Sequence, residues 1–199
     1  MNDAVGIVAI SRALTARRPQ SAGDGPMGRA AVAIILQETA EDGVSVLIIE
    51  RARHDGDPWS GDLAFPGGRL EPGEDDQAAA ERETLEEVGV DLSGARLLGR
   101  LDDRPARILP LTVCAFVYAV DTKPDLVISD EVSEAFWIGV ADLVDTDRHC
   151  DHLAPVDAGR FPAIDLLGPG RPLLWGVTYF FLCEMLRDVG HQLPLSAPA

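Results

Sequence analysis

The sequence predicts an α/β fold, a mixed sheet held between helices. Three observations carry that expectation. Apolar, β-branched runs of strand length recur along the chain. One polar helix sits mid-chain between a glycine turn and a glycine stop. A strongly apolar helix follows the last strand. With 199 residues, 46% of them hydrophobic and 25% charged, the chain can bury a core without disulfides or a structural metal.

The elements follow in order. Val5, Val8, Ala9 and Arg12 recur at helical spacing and Pro19 stops them, which predicts a helix over residues 4–17. Residues 21–26 form a Gly/Pro/Ser/Asp linker. Residues 29–36 and 44–50 read as strands about a polar turn at 38–43, and 52–62 as a loop. A short strand at 63–65 is broken by Pro66-Gly67-Gly68. Asp75 or Asp76 can cap the next helix, and Gly89 ends it. Strands are expected at 95–101, 109–119 and 132–138, with a helical turn at 140–144. Residues 149–172 read as irregular, and 173–188 as an apolar helix that packs as core or as a dimer contact. Cys183 within it reads as a buried small apolar residue.

Lys and Arg number 17 against 33 Asp and Glu, a net charge of −16. Such a surface repels polyanions, which disfavours general nucleic-acid or anionic-membrane binding. A small phosphorylated substrate remains compatible, because local arginines or a bound cation reverse the field in one cleft. Cys114, Cys150 and Cys183 form no CxxC pair, so neither a disulfide framework nor a cysteine zinc site is expected. Reduced thiols fit a cytoplasmic protein. The first ten residues lack the basic stretch of an export signal, and the apolar run at 173–186 is too short to span a bilayer. His149-Cys150-Asp151-His152 has no partner at zinc spacing and reads as a loop.

The polar helix holds the chemistry. Glu83, Glu86 and Glu87 stand at i, i+3 and i+4 and share a face, with Ala78, Leu85 and Val88 opposite. Like charges on one face repel, and glutamates near a helix C-terminus oppose its dipole. A divalent cation offsets both penalties, and oxygen-only ligands favour Mg²⁺, with Mn²⁺ as a substitute. Arg82 can pair with Glu86 on the helix or with Glu74 across the preceding loop. On spacing alone a solvated acidic face explains the cluster equally well. The Gly67-Gly68 pair adds weight to the metal reading, since backbone without Cβ atoms can approach a ligand closely. Glu81 falls towards the apolar side without an explanation in the sequence.

Residues 68–90, GRLEPGEDDQAAAERETLEEVGV, resemble the Nudix box: Gly68, Glu74, Arg82, Glu83, Glu86, Glu87, Gly89 and Val90 match, and only Thr84 replaces an aliphatic residue. The resemblance implies a Nudix-type α/β/α sandwich with a mixed sheet, and hydrolysis of a nucleoside diphosphate linked to another moiety. It implies Mg²⁺ on Glu83, Glu86, Glu87 and the Gly68 carbonyl, with Arg82 and Glu74 orienting the carboxylates. The general base is a box glutamate such as Glu83 or one from a later loop, Glu131 or Glu134. The implied organisation is an N-terminal helix and linker over 1–27, a Nudix hydrolase domain over 28–146, and an extension over 147–199 whose apolar helix packs on the domain.

Upstream, residues 46–53 (VLIIERAR) and 59–69 (WSGDLAFPGGR) resemble the motif before the box in Nudix coenzyme A pyrophosphatases. Trp59 stands where His is common, and Asp62 where Gln or Glu is usual. Residues 130–137 (DEVSEAFW) and 174–178 (LWGVT) resemble further segments of that group. The resemblance therefore implies coenzyme A or acyl-CoA as substrate. ADP-ribose, a nucleotide sugar, a dinucleoside polyphosphate, or non-catalytic nucleotide sensing are the alternatives. Arg51 and Arg69 are candidates for the phosphates, competing with surface ion pairing. Trp59 is either a stacking partner or a loop anchor.

Overall fold

The computed structural model describes residues 5–25, 28–53, 60–106, 110–153 and 159–194. Among these described residues, ten strands and four α-helices follow in the order α1 (Ile7–Ala16), β1 (Arg29–Thr39), β2 (Gly43–Arg51), β3 (Leu63–Ala64), β4 (Gly67–Arg69), α2 (Asp76–Val88), β5 (Arg96–Arg100), β6 (Arg104–Pro105), β7 (Thr112–Val120), β8 (Val132–Gly139), α3 (Val140–Val144), β9 (His149–Leu153), β10 (Arg160–Ile164) and α4 (Gly176–Arg187).

Strands β1 to β8 form one mixed sheet, with β1 parallel to β7 and its other pairings antiparallel. Alternation along the strands gives each face its own core. Ala31, Ala33 and Ile35 of β1 join Leu47 and Ile49 of β2 and Phe116 and Tyr118 of β7 beneath α2, which contributes Ala79, Ala80 and Val88. Ile34 and Leu36, with Val46, Ile48, Ala115 and Val117, face α1, α3 and α4 on the other side. The expected sandwich of a mixed sheet between helices is what forms. Among the described residues, no helix is long and apolar enough to cross a membrane.

The sheet forks at the point that becomes the cleft. β1 pairs with β2 from Leu36 to Thr39, then exchanges it for β4 from Ala30 to Val32. β2 likewise pairs with β1 near Val46 and with β3 at Ile49 and Glu50. The run from Leu63 to Arg69 therefore crosses from one arm of the fork to the other. Pro66 was expected to end the strand, but the chain changes partner and resumes as β4. Proline has no N–H to donate, while its carbonyl accepts from Ala33 N–H at 2.9 Å. Gly67 then passes so close to β1, at φ +150°, that a Cβ there would collide with the Ala31 carbonyl.

Three further expectations are corrected. Residues 149–172 are not irregular: β9 and β10 form an antiparallel hairpin, in which Phe161 and Ala163 pack with Trp175. The sequence hid it because Pro162 interrupts β10, and proline is a poor strand signal. The buried side of α2 is also different. Ala78 and Leu85 are exposed; of the expected apolar side only Val88 is buried, joined by Ala79, Ala80, Thr84 and Glu87. It is turned so that Glu87 enters the interior. Cys183 is half-buried rather than buried. α4 itself places Tyr179, Phe181, Leu182, Met185 and Leu186 in the core with α1.

Candidate active site

Local sequence fixes how α2 presents its carboxylates. Asp75 caps the helix by accepting from Ala78 N–H at 2.9 Å, and the Gly89 N–H closes it on Leu85 O at 3.0 Å. Thr84, the one departure from the box, is fully buried and donates its hydroxyl to Ala80 O at 2.7 Å, so a polar residue sits in the core without an orphaned group. Glu81, the mismatch of the helical wheel, accepts from Tyr118 Oη at 2.8 Å and from Gln77 Nε2 at 2.8 Å.

Glu87 points into the fork. It is 2% exposed, its Oε2 accepts the Gly67 N–H at 2.8 Å, and Arg51 Nη1 stands 3.8 Å from its Oε1. Burial pushes its carboxyl up to about 7, against the Gly67 N–H and Arg51, which favour the anion; the neighbouring Glu83 and Glu131 charges push it further up. Burial also raises Glu83, opposed by Arg82 and reinforced by Glu86 and Glu131. Gly68 lies directly against the Glu83 carboxylate, where a Cβ would overlap the carboxyl group.

Arg82 organises the rim. Its Nε and Nη2 grip Glu74 at 2.9 and 3.0 Å, and Nη1 reaches Glu83 at 2.9 Å and Glu86 at 3.0 Å. Nη2 also donates to Arg69 O at 3.0 Å. Both alternatives weighed for Arg82 therefore form together. The Arg82 bond holds the Glu74 carboxyl below its usual range, and Glu74 holds the loop before α2 through Glu71 N–H at 2.9 Å. Glu86 is the most exposed of the three box carboxylates, engaged by Arg82 at the rim.

Glu131 arrives from a distant segment. Val127 N–H and Ser129 N–H donate to Val88 O and Glu87 O at 3.0 and 2.9 Å, and Ala52 N–H donates to Glu131 O at 2.8 Å. These bonds strap the approach to β8 along the end of α2 and bring Glu131 to the cleft. Glu134 instead pairs with Arg171 at 3.1 Å and does not line the cleft. Trp59 lies outside the described residues. Glu83, Glu87, Gly68, Arg51, Arg69 and Glu131 all line one cleft of about 600 Å³.

The cleft continues past the carboxylates into an apolar end. Phe65, Leu111, Val113, Phe161, Trp175 and Phe181 line it, and Trp175 Nε1 donates to Asp62 Oδ1 at 3.2 Å. Arg104 lines the same end. Sequence reading missed Arg104 because its partner, Glu184, lies 80 residues away at 2.7 Å and no local pattern announces it. Phe161 was hidden with its hairpin.

The residues fit a hard divalent cation: every donor facing Gly68 is an oxygen, the glycine leaves space that a Cβ would fill, and Glu87 is buried beside other acids with little cationic compensation. No group of three or more His, Cys, Asp or Glu side chains among the described residues is already gathered into a metal cluster. Arg82 holds Glu86 to the rim.

The NUDIX domain family model matches residues 27–158, and the chain belongs to that family. An uncharacterized protein of Schizosaccharomyces pombe is 37% identical over 124 residues, covering 58% of this chain and 37% of its own length. The mitochondrial coenzyme A diphosphatase NUDT8 of Homo sapiens is 33% identical over 125 residues, covering 59% of this chain and 51% of its own. The chain thus matches about half or less of these relatives' length. A crystal structure of a MutT/nudix family protein from Enterococcus faecalis aligns with 94% of this chain and 70% of that one, at a TM-score of 0.54 and 20% identity, and so shares the fold.

Proposed function

We propose that this chain is a metal-dependent pyrophosphohydrolase acting on a nucleoside diphosphate linked to a second moiety, with coenzyme A or its acyl derivatives as the substrate. The observation that carries this reading is the pairing, in one cleft, of the Glu83 and Glu87 carboxylates with apolar walls that include Phe65, Phe161, Trp175 and Phe181. A diphosphate suits the first, and an apolar or pantetheine-like arm the second. The family membership and the similarity to a coenzyme A diphosphatase support it. In this reading residues 28–146 form the catalytic unit, and the 147–199 segment supplies the apolar wall through Phe161, Trp175 and Phe181.

Glu83, Glu86, Glu87 and the Gly68 carbonyl would hold Mg²⁺ or Mn²⁺. When bound, the ion supplies charge neutralisation at the diphosphate and acidifies a water. Arg51 and Arg69 orient the phosphate oxygens. Glu131, exposed at the mouth, accepts the proton of the attacking water on its carboxylate. Arg82 and Glu74 lock the rim, so that Glu83 and Glu86 are positioned before substrate arrives.

The test is a panel of coenzyme A, acetyl-CoA, ADP-ribose, a nucleotide sugar and a dinucleoside polyphosphate, with and without Mg²⁺, read by mass in ¹⁸O-labelled water. Mg²⁺-dependent release of 3′,5′-ADP and phosphopantetheine is the expected result. Preferred cleavage of ADP-ribose would reject the coenzyme A assignment. Nucleotide binding without any Mg²⁺-stimulated product would reject hydrolysis.

A further inference from the structure

The floor of the cleft includes a row of residues set side by side across four strands. Arg104 of β6 is opposite Val113 of β7, Val113 is level with Ala30 of β1, and Ala30 is opposite Arg69 of β4. Cross-strand partners share a face, and all four residues line the cleft. Three strand-to-strand steps of about 4.8 Å place the two arginine backbones roughly 14 Å apart. Between them lie two small apolar side chains. Arg69 stands at the carboxylate end, its carbonyl bonded to Arg82. Arg104 stands at the opposite end, beside Ala106 and Leu111.

Arg104 is anchored from behind. Its Nη2 donates to Glu184 Oε2 at 2.7 Å, and Glu184 is 1% exposed. The same carboxylate takes the Asp102 N–H at 2.9 Å and Arg17 at the end of α1. Among the described residues, Arg104 Nε is shut off from solvent and has no acceptor. A buried donor without an acceptor is costly, and more so on a cation. A guanidinium that spends one donor on a fixed anchor, beside apolar walls, is suited to receive an anionic oxygen with the others.

We infer that Arg104 is a specificity-determining residue. Held by Glu184, it receives a second anionic group of the substrate, a phosphate or a carboxylate, that the apolar floor separates from the diphosphate. The inference rests on the reading of the Glu83–Glu87 end as the diphosphate site. The spacing of the two arginines selects substrates by the distance between two charges.

Two substrate pairs separate the sources of that charge, which require opposite substrate orientations: succinyl-CoA against butyryl-CoA for a carboxylate carried by the arm on the apolar floor, and coenzyme A against 3′-dephospho-coenzyme A for a phosphate with the nucleotide on that floor instead. The wild-type protein is expected to prefer the charged member of one pair by about 10- to 100-fold in kcat/KM, mainly through KM. Arg104→Gln removes that preference, losing about 10-fold or more on the charged member beyond any loss on the other, while Arg104→Lys keeps most of it. Calorimetric titration of the same pairs into Glu86→Gln with Mg²⁺ gives a readout independent of turnover. Absence of any preference, or an equal loss on both members in Arg104→Gln, overturns the inference. Charge-dependent binding through Arg104 without hydrolysis by the wild type would keep this inference and reject the diphosphatase reading. Hydrolysis with no Arg104-dependent preference would do the reverse. Glu184 keeps Arg17 and the Asp102 N–H in Arg104→Gln, so the fold is expected to hold in a melting curve. Arg104→Met, which preserves the packing of the stem, replaces it if it melts early.

Discussion

Glu87 Oε2 accepts the Gly67 N–H at 2.8 Å, and that bond ties the mid-chain helix to the strand that crosses the fork in the sheet. The carboxylate is thereby buried at 2% exposure with one backbone donor and a guanidinium at 3.8 Å. Burial outweighs both, and the group ionises only near 7 in the metal-free protein, against an ordinary value of 4.5. A folded-state value above the unfolded one means that the neutral carboxyl favours folding. That contribution is complete below the ordinary value and is lost as pH rises through 7. At pH 8 the metal-free wild type therefore forfeits up to about 3 kcal/mol, by the shift times 1.36 kcal/mol per unit. Glu87→Gln, which keeps the acceptor for Gly67, is expected to melt higher than wild type at pH 8 in chelator and no higher at pH 5. Its kcat falls by two or more orders of magnitude. Thermal melts in chelator at both pH values check the stability; equal shifts at the two would discard the assignment of the buried charge.

Gly67 and Gly68 are adjacent but should fail in different ways. A Cβ on Gly67 meets the Ala31 carbonyl and the Val32 backbone, at a φ that side chains rarely adopt. A Cβ on Gly68 meets first the end of the Glu83 side chain, which can rotate away. Gly67→Ala is expected to cost roughly 2–4 kcal/mol of stability, as a strained backbone in the core does. Gly68→Ala is expected to fold within about 1 kcal/mol of wild type and to lose activity, with a raised Mg²⁺ requirement. Urea unfolding, paired with Mg²⁺ titration of turnover, separates the two. Parallel losses in both variants would contradict the placement of Glu83.

How much of this was legible in the sequence depended on distance along the chain. Gly68, Glu74, Arg82, Glu83, Glu86 and Glu87 fall within twenty residues, and their fixed spacing through a glycine turn, a loop and one helix announces them. The apolar, β-branched runs of β1 and β7 announced strands for the same reason, since strand length and composition are local, but not which side chains face which layer. The rotation of α2 was not local. Burial of Glu87 rather than Leu85 is decided by Gly67 and by Arg51 on other strands, so spacing along the helix placed Val88 correctly but not Ala78 and Leu85. Glu81 looked misplaced until Tyr118, 37 residues on, supplied its partner. Arg104 and Glu184 carry no signal at all until β6 and α4 are folded together. Thr84 looked like a defect in the box and is a satisfied core hydroxyl.

Arg29 anchors the start of α2 with two bonds to Asp76, at 2.9 and 2.8 Å, and a third to Asp103 at 3.0 Å. Burial alone would raise the Asp76 carboxyl, but the Arg29 bonds win and hold it below its ordinary value. A lowered folded-state value contributes stability above the unfolded value of 3.8 and loses it as pH falls through the folded one. Asp76→Asn is therefore expected to melt several degrees below wild type at pH 7, with the gap closing as pH falls below the ordinary value of 3.8. Melting curves from pH 2.5 to 8 test it, and a gap independent of pH would show that geometry rather than charge is at stake.

Arg82 reaches Glu74, Glu83 and Glu86 at once, so its planar fork, not its charge alone, sets the geometry of the rim. A lysine keeps the charge but can satisfy Glu74 with only one donor direction and cannot span to Glu86. Arg82→Lys is expected to lower kcat by about 10- to 100-fold while moving stability by no more than about 1 kcal/mol, since these partners are partly solvated. Glu74→Gln removes the strongest partner of Arg82 and leaves Glu83 and Glu86 untouched. It should lower kcat less, because the guanidinium keeps its other two carboxylates. If Glu74→Gln proved as damaging as Arg82→Lys, the loop before the helix, held by Glu74 through Glu71 N–H at 2.9 Å, would be the element that matters. Combining the two substitutions decides the point. Coupling through one guanidinium makes the double variant no worse than Arg82→Lys alone, whereas independent roles make the losses multiply.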